Sequence, residues 1–130
     1  MGSSTIKTIT MSFKTHQNEI LIYCNPNTDT SKKVLAYARG VAPYVKEVDC
    51  VKTPLTAMQM RGILKQLNLR PKDLMNRAHP YYQENIRGRD FNAEGWLNIL
   101  IHNPQLLKAP IALRGTKAVL CDNPTNVLKL

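Results

Sequence analysis

The sequence predicts an α/β protein with a four-stranded mixed sheet flanked by helices. Apolar strand-like segments alternate with amphipathic helical segments in the first part of the chain. Two short apolar runs separated by a tight turn follow near its end and predict a β-hairpin. The chain has 130 residues, 43% of them hydrophobic and 21% charged, so a single domain with a substantial core is expected.

The first part of the chain predicts a β-α-β unit. Its elements are a strand over Glu19–Cys24, a helix from about Ser31 to Gly40 and a strand over Tyr44–Asp49. Asn25-Pro26 ends the first strand, and the polar residues from Thr28 to Ser31 can cap the helix that follows. Gly40 is expected to end that helix.

Helical segments fill the middle of the chain before the hairpin. The predicted elements are helices over Ala57–Leu67, Lys72–Asn76 and Ala93–His102, an irregular segment over Arg77–Asp90, strands over Pro110–Leu113 and Ala118–Cys121, and a last helix that starts at Pro124. A β-α-β unit followed by a hairpin is the thioredoxin-like topology, here with a helical insertion between the two parts. Helices are therefore expected on both faces of the sheet.

The N-terminal residues 1–18 form a polar extension ahead of the domain, which we place at residues 19–130. Ile9, Met11 and Phe13 alternate with polar residues, which indicates an additional edge strand. No apolar run approaches the ~18–20 residues that a membrane span needs, and the N-terminus lacks the apolar region of a secretory signal. A cytoplasmic protein without a membrane partner is expected.

Charge and cysteine usage exclude several classes of function. The formal net charge is +9, but no block of five basic residues occurs and aromatic residues do not interleave with the basic ones. A solvated basic surface is therefore expected, and nucleic-acid binding is not. Cys24, Cys50 and Cys121 lie far apart in the sequence, with no Cys-x-x-Cys pair and no zinc-ligand spacing. Cys50 and Cys121 are interpreted as small buried hydrophobes, and no metal is expected.

The segment from the first strand to the first helix predicts the functional site. A strand, a polar turn and a helix N-terminus favour an anion or a thiolate, because backbone N–H groups and the helix dipole point at the turn. This is the layout of a thioredoxin-fold redox site. However, no cysteine lies on the turn itself, and the nearest one, Cys24, lies at the end of the strand.

Four local motifs occur in a characteristic order. They are Ile22-Tyr23-Cys24-Asn25-Pro26 through Ser31-Lys32, Val51-Lys52-Thr53-Pro54-Leu55-Thr56, Leu74-Met75-Asn76-Arg77 after Leu69-Arg70-Pro71, and His102-Asn103-Pro104-Gln105-Leu106-Leu107 through Ala109-Pro110-Ile111-Ala112. In this order, from about Glu19 to the end, the chain resembles the arsenate reductase (ArsC) family, which includes Spx and YffB-type proteins. The resemblance implies a glutaredoxin-like thioredoxin fold of the ArsC type.

The resemblance also implies roles for single positions. The family's reductases carry Asn-Pro-x-Cys at the start of the first helix, and the cysteine that attacks arsenate corresponds to Thr28 here. A threonine alkoxide does not form at neutral pH without a strong adjacent base, and threonine makes no mixed disulfide. The family's anion-binding arginine before the strand proline corresponds to Ala109, and Arg77 matches a further arginine. The family pattern implies a cis Ala109–Pro110 bond.

These matches define the predicted site and leave two catalytic candidates, Cys24 and Thr28. The anion-binding or family-site positions are Asn25, Thr28, Thr30, Ser31, Arg77 and Pro110. Whether the protein is an enzyme is left open by these residues.

Three hypotheses follow for the function. The first is a family member without standard reductase activity that binds or regulates a protein partner and needs no cofactor. The second is an oxidoreductase that uses Cys24 with glutathione or glutaredoxin. The third is binding of a small oxyanion without turnover.

Overall fold

A four-stranded mixed sheet forms the centre of the molecule. The computed structural model describes residues 18–25 and 28–130. The strands are β1 (Glu19–Cys24), β2 (Tyr44–Asp49), β3 (Ile111–Arg114) and β4 (Lys117–Leu120), in the order β2-β1-β3-β4. β1 pairs in parallel with β2 and antiparallel with β3, and β3 pairs antiparallel with β4. The predicted sheet is confirmed, whereas the edge strand predicted before residue 18 lies outside the described residues.

The hairpin strands differ by one residue from the predicted ones. Pro110 precedes β3, because proline has no N–H to donate to the ladder. Arg114 pairs with Lys117 across a turn formed by Gly115 and Thr116. Gly115 has a φ of 60°, which such a tight hairpin turn requires and which glycine adopts without steric cost.

The helices surround the sheet and agree in part with the prediction. They are α1 (Asp29–Val41), α2 (Ala57–Leu67), α3 (Pro80–Asn85) and α4 (Ala93–His102), with 3₁₀ segments over Pro71–Leu74, Pro104–Leu106 and Pro124–Lys129. α2 and α4 have the predicted bounds. α1 begins at Asp29 rather than Ser31, because the side chain of Thr28 provides its N-cap. The helix also continues through Gly40, which has no positive φ and therefore does not end it.

Three predictions of local structure are wrong in type. The helix predicted over Lys72–Asn76 is a 3₁₀ segment over Pro71–Leu74, which Pro71 opens at its first position. The segment predicted to be irregular contains α3, which starts where His79 accepts a hydrogen bond from the N–H of Tyr81 and Pro80 occupies the first helical position. The last segment is a 3₁₀ helix rather than an α-helix. Its N–H groups bond three residues back, as Asn126 does to the carbonyl of Asn123 at 2.9 Å.

Both faces of the sheet are covered, as the alternation along β1 requires. Ile20, Ile22 and Cys24 face a cluster that includes Val34 of α1 and Val127 of the last segment. Leu21 and Tyr23 face the larger cluster, which the other helices complete. Its members from those helices include Met60, Ile63, Leu64, Trp96, Leu97 and Leu100. Among the described helices, none is both long and apolar enough to span a membrane.

The helical insertion is held against the segment that leads into β3. The N–H of Lys108 donates to the carbonyl of Leu74 at 2.8 Å, and the N–H of Asn76 donates to the carbonyl of Leu106 at 2.7 Å. Met75 and Leu107 form an isolated antiparallel bridge between these two hydrogen bonds. This connection fixes residues 106–110 in front of α1, where the predicted site lies.

Candidate functional site

Thr28 occupies the N-cap of α1. Its backbone is extended (φ −96°, ψ 147°), and its Oγ1 accepts a hydrogen bond from the N–H of Ser31 at 3.2 Å. Asp29 follows in the first turn, where a negative charge stabilises the helix dipole. Thr28 thus serves as an ordinary helix cap.

The hydroxyl groups at this turn are hydrogen-bonded to one another and to the end of β1. Thr28 Oγ1 lies 2.7 Å from Ser31 Oγ, and Ser31 Oγ donates to the carbonyl of Asn25 at 2.8 Å. Thr28 Oγ1 also lies 3.1 Å from that carbonyl. Ser31 is 1% exposed, so its hydroxyl is part of the protein interior. Both hydroxyls are therefore already engaged, and the carbonyl that they contact is not a base that could deprotonate them.

A small pocket of about 90 Å³ opens at the N-terminus of α1. Its lining consists of Asn25, Thr28, Thr30, Ser31, Leu107, Lys108, Ala109 and Pro110. The structure therefore brings together five of the predicted site residues, namely Asn25, Thr28, Thr30, Ser31 and Pro110. Within this described lining, no histidine or carboxylate is present that could act as a general base for Thr28.

Lys108 is a site residue that the sequence did not predict. Its backbone is fixed by the hydrogen bond to Leu74, and it lines the pocket beside Ala109. The family pattern has an arginine at the position of Ala109 and assigns no role to the position of Lys108. The sequence does show a lysine immediately before Ala109-Pro110. However, its position beside α1 depends on the tertiary contact with the insertion, which the sequence does not show.

Arg77 does not line this pocket. It lies exposed in the turn between Met75 and α3, where the N–H of His79 donates to the carbonyl of Asn76 at 3.2 Å. The side chain of Gln83 donates to the carbonyl of Arg77. Arg77 is therefore separate from the residues that line the pocket at α1, because the chain turns toward α3 immediately after Asn76.

Cys24 lies beneath the turn and is closed to solvent. It is 0% exposed, and its Sγ lies 3.4 Å from Oε2 of Glu47 on the neighbouring strand. Burial raises the pKa of Cys24 to about 12. A hydrogen bond from Ser31 opposes this effect, whereas the negative charges of Glu47 and Asp49 reinforce it. A nucleophilic cysteine needs exposure and a positive neighbour, so the surroundings of Cys24 count against a catalytic role.

Cys50 and Cys121 are buried free thiols, as the sequence predicted. Burial raises the pKa of each to about 12. Both belong to the apolar clusters on the two faces of the sheet, Cys50 on one and Cys121 on the other. They pack as small hydrophobic side chains.

The peptide bond between Ala109 and Pro110 is trans, since the described residues contain no cis peptide bond. The expected cis bond is therefore corrected. The trans form is favoured for most X-Pro bonds, and a proline before a strand removes no donor from the ladder. The carbonyl of Pro110 nevertheless accepts a hydrogen bond from the N–H of Cys121 at 2.8 Å, which aligns Pro110 with β3.

No metal site was found in the part of the chain that the structure describes. It contains no group of three or more His, Cys, Asp or Glu side chains that could hold an ion. Besides the engaged hydroxyls of Thr28 and Ser31, the pocket is lined by Thr30, by the start of α1 with its backbone N–H groups and by one lysine. This set can bind a small anion, but it contains no exposed thiol for electron transfer.

Comparison with known proteins agrees with this fold. The chain is 29% identical over 116 residues to the uncharacterized protein YfgD of Escherichia coli K12. The matched region covers 86% of this chain and 96% of that protein. The structure superposes on a candidate arsenate reductase from Yersinia pestis with a TM-score of 0.75 and 26% identity, over 85% of this chain and 99% of the other. An arsenate reductase from Vibrio cholerae gives a TM-score of 0.77 at 21% identity, over 88% of this chain and 98% of the other.

The match to a protein family covers most of the chain. The model of the ArsC family matches residues 23–130, which include the whole of α1, the insertion and the hairpin. The thioredoxin-like topology, the pocket at the N-terminus of α1 and these matches all agree. The chain belongs to the ArsC family.

Proposed function

We propose that this protein is a binding or regulatory member of the ArsC family that lacks the standard reductase chemistry. The observation that carries the proposal is Thr28 at the N-cap of α1, with its hydroxyl engaged by Ser31 and Asn25. A reductase of this family needs a thiolate at that position to attack arsenate and then to form a mixed disulfide. Threonine supplies neither step.

Cys24 is the other sulfur near the pocket, and its surroundings support the proposal. It is closed to solvent, and Glu47 lies beside its Sγ, so little thiolate exists at neutral pH. The alternative, a glutathione- or glutaredoxin-linked oxidoreductase that uses Cys24, would require α1 or the turn before it to move away from β1, because Cys24 faces the cluster that α1 covers.

A coupled turnover assay tests the proposal. Arsenate-dependent oxidation of NADPH is measured in the presence of glutathione, glutaredoxin and glutathione reductase, with the Vibrio cholerae arsenate reductase as the positive control. The protein is expected to give a rate no higher than the background without protein. A clear arsenate-dependent rate that disappears in the Cys24→Ala variant would contradict the proposal and support the oxidoreductase.

A small oxyanion is a second candidate ligand of the same pocket, without turnover. Lys108 favours it, because this cation lines the pocket together with the N-terminus of α1. Phosphate, sulfate and arsenate are each expected to raise the melting temperature in a concentration-dependent way. Lys108→Ala should abolish this rise, and Lys117→Ala, which removes an exposed lysine from β4, should not. If no anion changes the melting temperature, the ligand of this pocket is not an oxyanion.

A further inference from the structure

A second cleft lies between the 3₁₀ segment Pro71–Leu74 and the start of α4. It encloses about 220 Å³, and its apolar wall is formed by Pro71, Phe91, Ala93 and Trp96. Three charged residues, Arg70, Lys72 and Asp90, complete the lining. This cleft shares no lining residue with the pocket at α1, so its occupant is independent of the function proposed above.

The apolar wall is a rigid aromatic surface. The rings of Phe91 and Trp96 pack edge to face, with centroids 5.1 Å apart and planes at 80°. Trp96 is 5% exposed and belongs to the core, so its ring is fixed from below. Gly95 permits the close approach of Phe91, because a Cβ at this position would lie 3.0 Å from the Cβ of Phe91. The wall is therefore formed before any ligand arrives.

Two cations border this wall, and each contacts a neighbouring side chain. Nζ of Lys72 lies 5.3 Å from the centroid of the Trp96 ring, which places the ammonium group against the aromatic wall. Nε of Arg70 pairs with Asp73 at 3.4 Å, and Asp73 also accepts the backbone N–H of Arg70. Because this ion pair uses Nε, the two terminal nitrogens of the guanidinium fork remain available for a second anion.

We propose that this cleft binds a small carboxylate that has an apolar, ring-sized body. The ring would pack on Pro71 and Phe91, and the carboxylate would meet Arg70 and Lys72. Arginine is suited to this role, because its planar fork matches a carboxylate with two parallel hydrogen bonds. Asp90 lies in the same lining and Asp73 pairs with Arg70, so these two carboxylates equal the two cations in number, and the attraction comes from the directed hydrogen bonds of the Arg70 fork and the Lys72 ammonium group.

Trp96 provides the measurement, because it is the only tryptophan in the chain. The probe is 3-phenylpropionate, titrated into the full-length protein while the fluorescence of Trp96 is recorded. A saturable change is expected. The neutral analogue 3-phenylpropanol, with the same ring and no charge, and acetate, with the charge and no ring, should each bind far more weakly.

Two substitutions that should change the affinity in opposite directions distinguish an effect on binding from a general loss of structure. Arg70→Ala should weaken the binding of 3-phenylpropionate by about tenfold or more, as expected for the loss of a charge-assisted hydrogen bond. Asp90→Asn should tighten binding, because it removes a negative charge from the lining. Arg87→Ala is the matched control, since Arg87 is exposed, bonds to the side chain of Gln83 and does not line the cleft. Its affinity should equal that of the wild type.

A second variant that removes a cation keeps the proposal testable if Arg70→Ala does not fold. Lys72→Met keeps an apolar stem on Trp96 and removes the charge, so it should also weaken binding while the melting temperature stays close to that of the wild type. The proposal is wrong if 3-phenylpropionate gives no saturable change. It is equally wrong if 3-phenylpropanol binds as tightly as the carboxylate, or if Arg70→Ala and Lys72→Met both bind like the wild type.

Discussion

At the scale of single residues, the proposed function rests on Thr28 and Cys24. Thr28 stands where the family's pattern has a cysteine, and it caps α1 with its hydroxyl. Cys24 has a thiol that could act as a nucleophile, but this thiol is buried next to a carboxylate. The same turn therefore combines an exposed residue that cannot form a thiolate with a thiol that solvent does not reach.

Thr28→Cys should create the reactive thiol that the natural sequence lacks. The new sulfur would be exposed at the N-terminus of α1, near the N–H of Ser31 and in the pocket that Lys108 lines. These groups stabilise a thiolate, so we expect its pKa to fall below about 7.5. The measurement is the pH dependence of the iodoacetamide reaction, followed by mass spectrometry.

The matched control for this prediction is Thr116→Cys, which places a thiol on the exposed hairpin turn and away from any helix N-terminus. Its reaction should follow an ordinary thiol pKa of about 8.5. Equal pH profiles for the two variants would show that the N-terminus of α1 gives no activation.

Residue-level prediction from the sequence succeeded where the local sequence determines the contact and failed where the tertiary fold does. Thr28 and Ser31 follow β1 directly, so the sequence alone placed them at one turn. Lys108 reaches the same pocket only through its hydrogen bond to Leu74 in the insertion, a contact between segments far apart in the chain. Arg77 is absent from the lining of this pocket, since the chain turns toward α3, a helix that the sequence did not predict.

At the scale of elements, caps and periodicity determined the parts that were predicted well. α2 begins with a capping box formed by Thr56 and Gln59, and it ends at Asn68, whose φ of 57° is typical of a left-handed C-cap. α3 escaped prediction because it has only six residues, too few to show a 3.6-residue period. Its N-cap, His79, is also not one of the usual capping residues.

Thr56→Ala should destabilise the protein through α2 alone. The substitution removes the acceptor for the N–H of Gln59, at 3.2 Å, and leaves only the reciprocal bond, in which the backbone N–H of residue 56 donates to Oε1 of Gln59 at 3.0 Å. The free energy of unfolding should fall by about 0.5–2 kcal/mol. Urea denaturation measures this change.

Thr56→Ser is the control for the cap, because serine retains the hydroxyl acceptor and should keep most of the stability. If the alanine and serine variants lose equal stability, the capping hydrogen bond does not contribute to α2.

At the scale of the whole molecule, one sheet with two covered faces holds all the cysteines inside. Cys24 and Cys121 lie on the face that α1 covers, and Cys50 lies on the other. Ion pairs on the surface include Arg61–Glu94 at 2.8 Å and Arg70–Asp73 at 3.4 Å. Exposed pairs of this kind contribute little to stability.

The buried thiols predict a loss of stability at alkaline pH. The folded state raises the pKa of each cysteine from 9.0 to about 12, and that of Tyr23 from 10.0 to about 12, chiefly through burial. Below about pH 8 these groups are protonated in both states, so they add no pH dependence. Between about pH 9 and 12 the unfolded chain loses protons that the folded chain keeps, so the free energy of unfolding falls as pH rises.

The measurement is the free energy of unfolding by urea at a series of pH values. Cys121→Val should reduce the alkaline slope, by up to about 1.4 kcal/mol per pH unit, because one ionising thiol is removed. An unchanged slope in this variant would contradict the assignment of the pH dependence to the buried thiols.

The central claim is that this ArsC-family protein presents no reactive thiol at the N-terminus of α1. The most direct measurement is the alkylation of the native wild-type protein by iodoacetamide at pH 7, with each cysteine quantified by mass spectrometry and Thr28→Cys as the positive control. The account predicts slow labelling of Cys24, no faster than that of Cys50 and Cys121, because all three thiols are buried and protonated. Rapid and selective labelling of Cys24 would contradict it and make the oxidoreductase the better explanation.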